Sequence, residues 1–234
     1  MERSALYYTP FNLRLYDLFV LSISNTLAWR CPTRSTLLPF YLKHVKSSSA
    51  HLEVGSGTGY YPATAAVSGA LSKTRLLTLC DLNPNTLAYS RRRIARAGYT
   101  GSIETLEHNV FHPLAHSHDR DVRGKYDSVA LYYLFHCLPG AFPRKATDVF
   151  ASVAPALAPN GVMHGATVLG TGVVHNWFGA RLMAFYNKKG VFGNIGDSEE
   201  GLRQALEEAF EEWEVTVVGA VALFEARKPR VIKD

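Results

Sequence analysis

The feature that most constrains this chain is a change of rhythm at residue 50. From there, short apolar runs at His51–Val54, Leu76–Cys80, Ser102–Leu106, Ser128–Tyr132, Gly161–Val168, Glu214–Val218 and Val221–Ala226 read as seven strands. Stretches of helical spacing lie between them at about 60–71, 84–97, 144–157 and 198–211. Strand–helix alternation requires a mostly parallel sheet with right-handed crossovers. Only Gly219-Ala220 separates the last two runs, too short for a crossover, so they must pair as an antiparallel hairpin. The expected fold is therefore an α/β seven-stranded sheet, mostly parallel, closed by a C-terminal antiparallel hairpin.

Two further helical stretches precede the sheet. Phe11, Leu15, Leu18, Phe19 and Ile23 form one stripe, and Leu37, Leu38, Tyr41, Leu42 and Val45 form a second. Pro32 lies near the start of the second, where a missing N–H costs little. After the break at Ser47-Ser-Ser49 the sheet begins, so residues 1–46 are expected to act as a helical lid on one structural unit, 47–234. Another helix is expected within Val173–Gly190, where Val174, Trp177, Phe178, Arg181, Leu182 and Phe185 recur. It follows the carboxyl end of the fifth strand, the edge at which open α/β sheets bind ligands. It reads either as a substrate wall or as core packing.

Composition narrows the function. Apolar residues are 47% and charged residues 19% of the 234, which excludes a disordered chain. No apolar run is long enough for a membrane span. The first ten residues lack the basic-then-apolar pattern of a secretory signal, and Cys31, Cys80 and Cys137 are too widely spaced for a disulfide framework or zinc site. A reduced, cytoplasmic location is expected. The net charge is only +5, and the cluster Arg91, Arg92, Arg93 and Arg96 has no interleaved aromatics. It reads as a solvated helix face or an anion patch, with no separate module for nucleic acid. His116 and His118 sit in a polar loop without a ligand cluster, so no metal is expected.

The chemistry points to the segment His51-Leu-Glu-Val-Gly-Ser-Gly-Thr-Gly-Tyr60. A strand runs into Gly55, Gly57 and Gly59, and a helix follows whose N-terminal N–H groups are free. Asp81 closes the second strand, where a carboxylate can accept bonds from both hydroxyls of a ribose. A dinucleotide fingerprint would place its third glycine at position 60, which is Tyr60. Glu53 beside the loop disfavours a pyrophosphate and suits a ligand carrying ammonium and sulfonium charge.

This combination, E-x-G-x-G-x-G with an acid ending the second strand and a closing hairpin, resembles the class I S-adenosylmethionine-dependent methyltransferases over residues 50–227, and so implies a Rossmann-like sheet. The resemblance implies that Glu53, Gly55, Ser56 and Gly57 hold the methionine half of S-adenosylmethionine. Asp81 would take the ribose and Leu82 the adenine. Asn109 stands where the family usually has an acid facing the adenine amino group, with Val110 offering its N–H. Leu131 and Tyr132 would present carbonyls to the methionyl ammonium. Tyr16-Asp17, Trp29-Arg-Cys-Pro-Thr33, Leu134-Phe-His-Cys-Leu-Pro-Gly140 and Phe192-Gly-Asn-Ile-Gly-Asp197 are similar to a subgroup of small microbial natural-product methyltransferases, including fungal pyrone-polyene polyketide enzymes. That similarity implies a small-molecule acceptor and makes Tyr16 and Trp29 lid residues over the cofactor.

His136 and His175, at the carboxyl edge, are the candidate bases, whereas His164, inside the fifth strand, reads as a core residue. An acidic enol or phenol needs alignment more than a base. The expected reaction is methyl transfer to an oxygen of a small hydrophobic acceptor. N- or C-methylation, a cofactor-retaining cyclase and a binding scaffold remain open alternatives. Against a nicotinamide enzyme stand Tyr60 and the hairpin. Against a base-amino methyltransferase stands Leu131-Tyr-Tyr-Leu134 in place of an N/D-P-P-Y/F motif.

Overall fold

The computed structural model describes residues 17–114 and 122–230. Tyr16, His116 and His118 lie outside the described residues. Seven strands form one sheet: β1 (Ala50–Val54), β2 (Leu76–Asp81), β3 (Ser102–Glu107), β4 (Tyr126–Tyr132), β5 (Leu157–Val168), β6 (Phe210–Val218) and β7 (Val221–Pro229). Their spatial order is β3-β2-β1-β4-β5-β7-β6, with β1 to β5 parallel and β7 antiparallel to both β5 and β6. The order reverses between β1 and β4. There the first two crossovers run off to one side and later ones to the other, opening a crevice at the carboxyl edge.

The helices are α1 (Leu38–Val45), α2 (Tyr60–Val67), α3 (Pro84–Arg96), α4 (Arg144–Val153), α5 (Trp177–Lys188) and α6 (Glu199–Ala209). Local chemistry sets their ends. Asn83 Oδ1 accepts from Asn85 N at 2.9 Å ahead of Pro84, and Ser198 Oγ accepts from Gly201 N at 3.1 Å, so both helices begin on side-chain caps. Before α1, Asp17–Ala28 and Thr33–Leu37 are wound as wide i→i+5 turns rather than the ordinary helix expected there.

Two apolar cores cover the two faces of the sheet. One joins α4 and α6 to Leu52, Val129, Leu131, Met163 and Phe224. The other joins Trp29, Leu37, Tyr41 and Val45 of the N-terminal segment, with α5, to Tyr132, Ala166, Val221 and Leu223. The N-terminal helices are thus a packed layer on the sheet. Among the described residues, no helix is long and apolar enough to cross a membrane.

One ion pair ties down the loops around the crevice. Lys145 on α4 donates to Asp197 Oδ2 at 2.6 Å and to the carbonyl of Gly193 at 3.0 Å, and both charged side chains are fully buried. Asp197 Oδ1 accepts from Phe142 N at 3.2 Å. Burial lowers the Lys145 pKa and raises that of Asp197, and each partner opposes the shift in the other. Removing one member strands the other charge, at about 3–5 kcal/mol. Denaturant unfolding of Lys145→Met and of Asp197→Leu should show losses of that order, and the double variant should recover part of them. Additive losses would mean the two side chains act independently.

Candidate active site

The glycine loop is pinned at both ends. Gly55 N donates to the carbonyl of Cys80 at 2.8 Å, locking the end of β1 to β2, and Gly59 N donates to the carbonyl of Ser56 at 2.8 Å. A Cβ on Gly59 would lie 2.7 Å from Ser90 Cβ, and φ there is +68°. Gly59 therefore lets α2 pack against α3. Gly57, at φ +50°, lines the crevice, and a Cβ there would meet only the carbonyl oxygen of Gly55, at 3.8 Å.

This crevice is lined by the glycine loop from Glu53 to Thr58, by Asp81, Leu82, Asn83 and Thr86 after β2, and by Asn109 and Val110 after β3. Its remaining wall is apolar and aromatic: Leu21, Tyr60, Tyr61, Tyr132, Tyr133, Leu134 and Leu138 contribute. Glu53, Gly55, Ser56, Gly57, Asp81, Leu82, Asn109, Val110 and Tyr132, all expected from the sequence, thus come together in one cleft. Glu53 is only 3% exposed, and its Oε2 accepts from Tyr41 at 2.8 Å and from His51 Nε2 at 3.0 Å. Asp81 accepts from Asn83 N at 3.0 Å and Gly57 N at 3.3 Å, yet burial still pushes its pKa from 3.8 up to about 6. Asn109 Oδ1 accepts from Phe111 N at 3.1 Å, so it also shapes its own turn.

Other expected residues lie elsewhere. Trp29 is 1% exposed in the core below the hairpin, where its carbonyl accepts from Ala220 N at 2.8 Å, and it does not line the cleft. Leu131, expected to offer its backbone carbonyl, is fully buried in the ladder opposite Gly165 and is not among the residues that line the cleft; its side chain turns into the other core. His136 points away from the cleft. Its segment, Phe135–Cys137, is a 3₁₀ turn, and three residues per turn bring Leu134 and Cys137 to the cleft side. His136 instead lies edge-on to Phe192, 4.4 Å between ring centres, and its Nδ1 accepts from Val168 N at 3.4 Å. Burial pushes its pKa down to about 3. That leaves a weak base with one nitrogen already engaged. His175 is half-buried edge-on to Trp29, and both ring nitrogens are buried without a hydrogen-bond partner. On α5, Trp177 and Phe185 are 73% and 52% exposed; the helix presents Phe178, Leu182 and Tyr186 to the core instead. The expected aromatic wall is not formed by Trp177 or Phe185.

Sequence reading missed Tyr133 and Thr86. Tyr133 holds φ at +59°, uncommon for a bulky residue, immediately after β4, while its N–H donates to the carbonyl of Ala166 at 2.8 Å. Its place at a strand's carboxyl end was the available signal. Thr86 Oγ1 is buried in the cleft wall without a hydrogen-bond partner. Nothing in the pattern around Pro84 marks it.

Comparison with known proteins agrees with this geometry. The chain is 43% identical over 232 residues to the physcion biosynthesis cluster O-methyltransferase of Aspergillus chevalieri, covering 98% of this chain and 97% of that one. It is 38% identical to methyltransferase verB of Penicillium polonicum, covering 98% and 100%. Among solved structures, the DhpI complex with S-adenosylhomocysteine superposes with a TM-score of 0.61 at 18% identity, covering 97% of each chain, a likeness of fold. No family model matches. The chain belongs to the class I S-adenosylmethionine-dependent methyltransferases, alongside these fungal relatives. Its cofactor is S-adenosylmethionine. The residues fit that group: a buried acid beside the glycine loop, a second acid at the end of β2, and an orphaned Thr86 hydroxyl in the wall of the same cleft.

The two glycines separate folding from binding. Gly59→Ala should lower the melting temperature clearly, since it combines a positive φ with a clash against Ser90. Gly57→Ala should cost about 1 kcal/mol of backbone strain yet weaken S-adenosylhomocysteine binding strongly. If Gly57→Ala bound the ligand normally, the loop would not face it.

Proposed function

We propose that this enzyme transfers a methyl group from S-adenosylmethionine to an enol- or phenol-type hydroxyl of a small, hydrophobic, natural-product-like acceptor. The observation that carries this reading is the mixed lining of the cleft: the polar Glu53, Asp81 and Asn109 line it together with Leu21, Tyr133 and Leu138, and Leu21 belongs to the N-terminal segment. Glu53 and the loop Gly55-Ser56-Gly57 take the methionyl end, Asp81 the ribose, and Leu82, Asn109 and Val110 the adenine. The bound cofactor supplies an electrophilic methyl on a sulfonium. The protein aligns an oxygen with that methyl and excludes water. The proposed roof over this cleft is the N-terminal layer, which reaches it through Leu21 among the described residues.

The proton needs little help. An enol or phenol is acidic enough that positioning alone suffices, and the engaged, strongly depressed His136 is a poor base. His175 lies edge-on to Trp29 and does not line the cleft, so it is not placed to take the proton either. Relatives named as O-methyltransferases, one of them of the physcion biosynthesis cluster, support oxygen as the target.

Asp81 provides the test. Ribose hydroxyls donate more strongly to a carboxylate than to a neutral carboxyl group, so binding favours the ionised form and lowers its pKa below the free protein's value of about 6. Affinity for S-adenosylhomocysteine should therefore be full above pH 6 and fall below it, by up to about tenfold per pH unit. Asp81→Asn should flatten that profile and weaken binding at pH 8 by roughly 10- to 100-fold, the scale of a hydrogen bond to a charged group. An unchanged affinity and profile would remove Asp81 from the ribose.

A further inference from the structure

Beneath the cleft runs a buried chain of polar side chains that the reading above leaves unexplained. His51 and Glu53 alternate onto one face of β1, and register places Ser128 and Ala130 beside them on β4, with His164 next to Ala130 on β5. Tyr132 OH lies 3.3 Å from His164 Nδ1, His164 Nε2 is 3.0 Å from Ser128 Oγ, and Ser128 Oγ is 3.0 Å from His51 Nδ1. His51 Nε2 then reaches Glu53 Oε2 at 3.0 Å, and Tyr41 of α1 reaches the same oxygen at 2.8 Å. Tyr41 OH also lies 3.0 Å from His51 Nε2. With Glu53 ionised and both imidazoles neutral, one proton arrangement runs through the chain, with Tyr41 donating to Glu53 and the His51 Nε2 proton shared between Glu53 and the Tyr41 oxygen. A carboxylate accepts only, so His51 donates through Nε2 and accepts from Ser128 at Nδ1. Ser128 then accepts from His164 Nε2, and His164 accepts from Tyr132. Every donor points toward Glu53.

We propose that Tyr41, His51, Ser128 and His164 are positioning residues for methyl transfer: they hold Glu53 by one oxygen, Oε2, and leave the other for the cofactor's α-ammonium group. This rests on Glu53 taking the methionyl end. It adds that Tyr41, from the N-terminal layer, and Ser128 and His164, from neighbouring strands, act on cofactor affinity without touching the cofactor. Tyr132 closes the chain at the cleft wall itself. Docking of α1 and binding of the amino-acid tail are thereby coupled through one hydroxyl.

Two ligands separate this role from a merely structural one. S-adenosylhomocysteine carries the ammonium; methylthioadenosine has the same nucleoside without the amino-acid tail. Calorimetry with full-length Tyr41→Phe should show S-adenosylhomocysteine weakened roughly 5- to 20-fold and methylthioadenosine unchanged within about twofold. Ser128→Ala, which removes the link between the two histidines and little volume, should show the same selectivity at roughly threefold. The turnover rate at saturating cofactor should stay close to the parent's in both. Equal weakening of both ligands, or no weakening of either, would overturn the proposal. Glu53→Gln distinguishes the two levels of the argument. If it binds S-adenosylhomocysteine as the parent does, Glu53 is no cofactor ligand and the reading beneath fails. If it binds weakly while Tyr41→Phe and Ser128→Ala bind normally, only the positioning role fails.

Discussion

A carboxylate buried at the carboxyl end of a central strand is the constraint on which the rest of this site depends. Desolvating a charge costs several kcal/mol even after relaxation, so Glu53 can exist there only if the protein replaces its water with donors. The nearest available donors belong to different elements: Tyr41 to α1, His51 to β1 itself. Satisfying them draws in Ser128 on β4 and His164 on β5. The burial of one acid therefore fixes the register of three strands and the docking of the N-terminal layer. A sulfonium-bearing amino acid is the kind of ligand that such a preformed negative site favours.

The carboxyl edge divides its labour accordingly. After β1 and β2, glycines and acids leave a polar cleft; after β4, the strained Tyr133 and the 3₁₀ turn of Leu134 and Cys137 close it with apolar surface. The buried Lys145–Asp197 pair acts from behind, holding the carbonyls of Leu138 and Gly193. Phe192 lies edge-on against His136, whose imidazole is turned from the cleft. That arrangement suits an acceptor whose hydroxyl gives up its proton readily.

Much of this was legible in the chain because periodicity reports burial directly. Strands β1 to β4 and β7 begin within two residues of their expected starts, and the closing hairpin follows from Gly219-Ala220 alone. Strand β5 extends back to Leu157, into the end of the expected helical stretch, and its ladder with β4 shifts register between Tyr126 and Ser128, near Pro159 and Asn160. Strand β6 starts at Phe210, not Glu214, since Phe210-Glu-Glu-Trp-Glu is charged enough to read as helix while pairing with β7. The cleft was legible where backbone demands are local, as at Gly55, Gly57 and Asp81. Side-chain direction was not: the helical stripe that marked Trp177 and Phe185 also fits an outward face, and a 3₁₀ turn rotates His136 away. Long-range partners such as Tyr41 with Glu53 leave no trace in spacing.

The most direct measurement is a crystal structure of the protein with S-adenosylhomocysteine. The account predicts the amino nitrogen within hydrogen-bond distance of the free oxygen of Glu53, both ribose hydroxyls on Asp81, and the sulfur facing Tyr133 and Leu138. A ligand bound with its ribose away from Asp81, or with its amino nitrogen remote from Glu53, would contradict it.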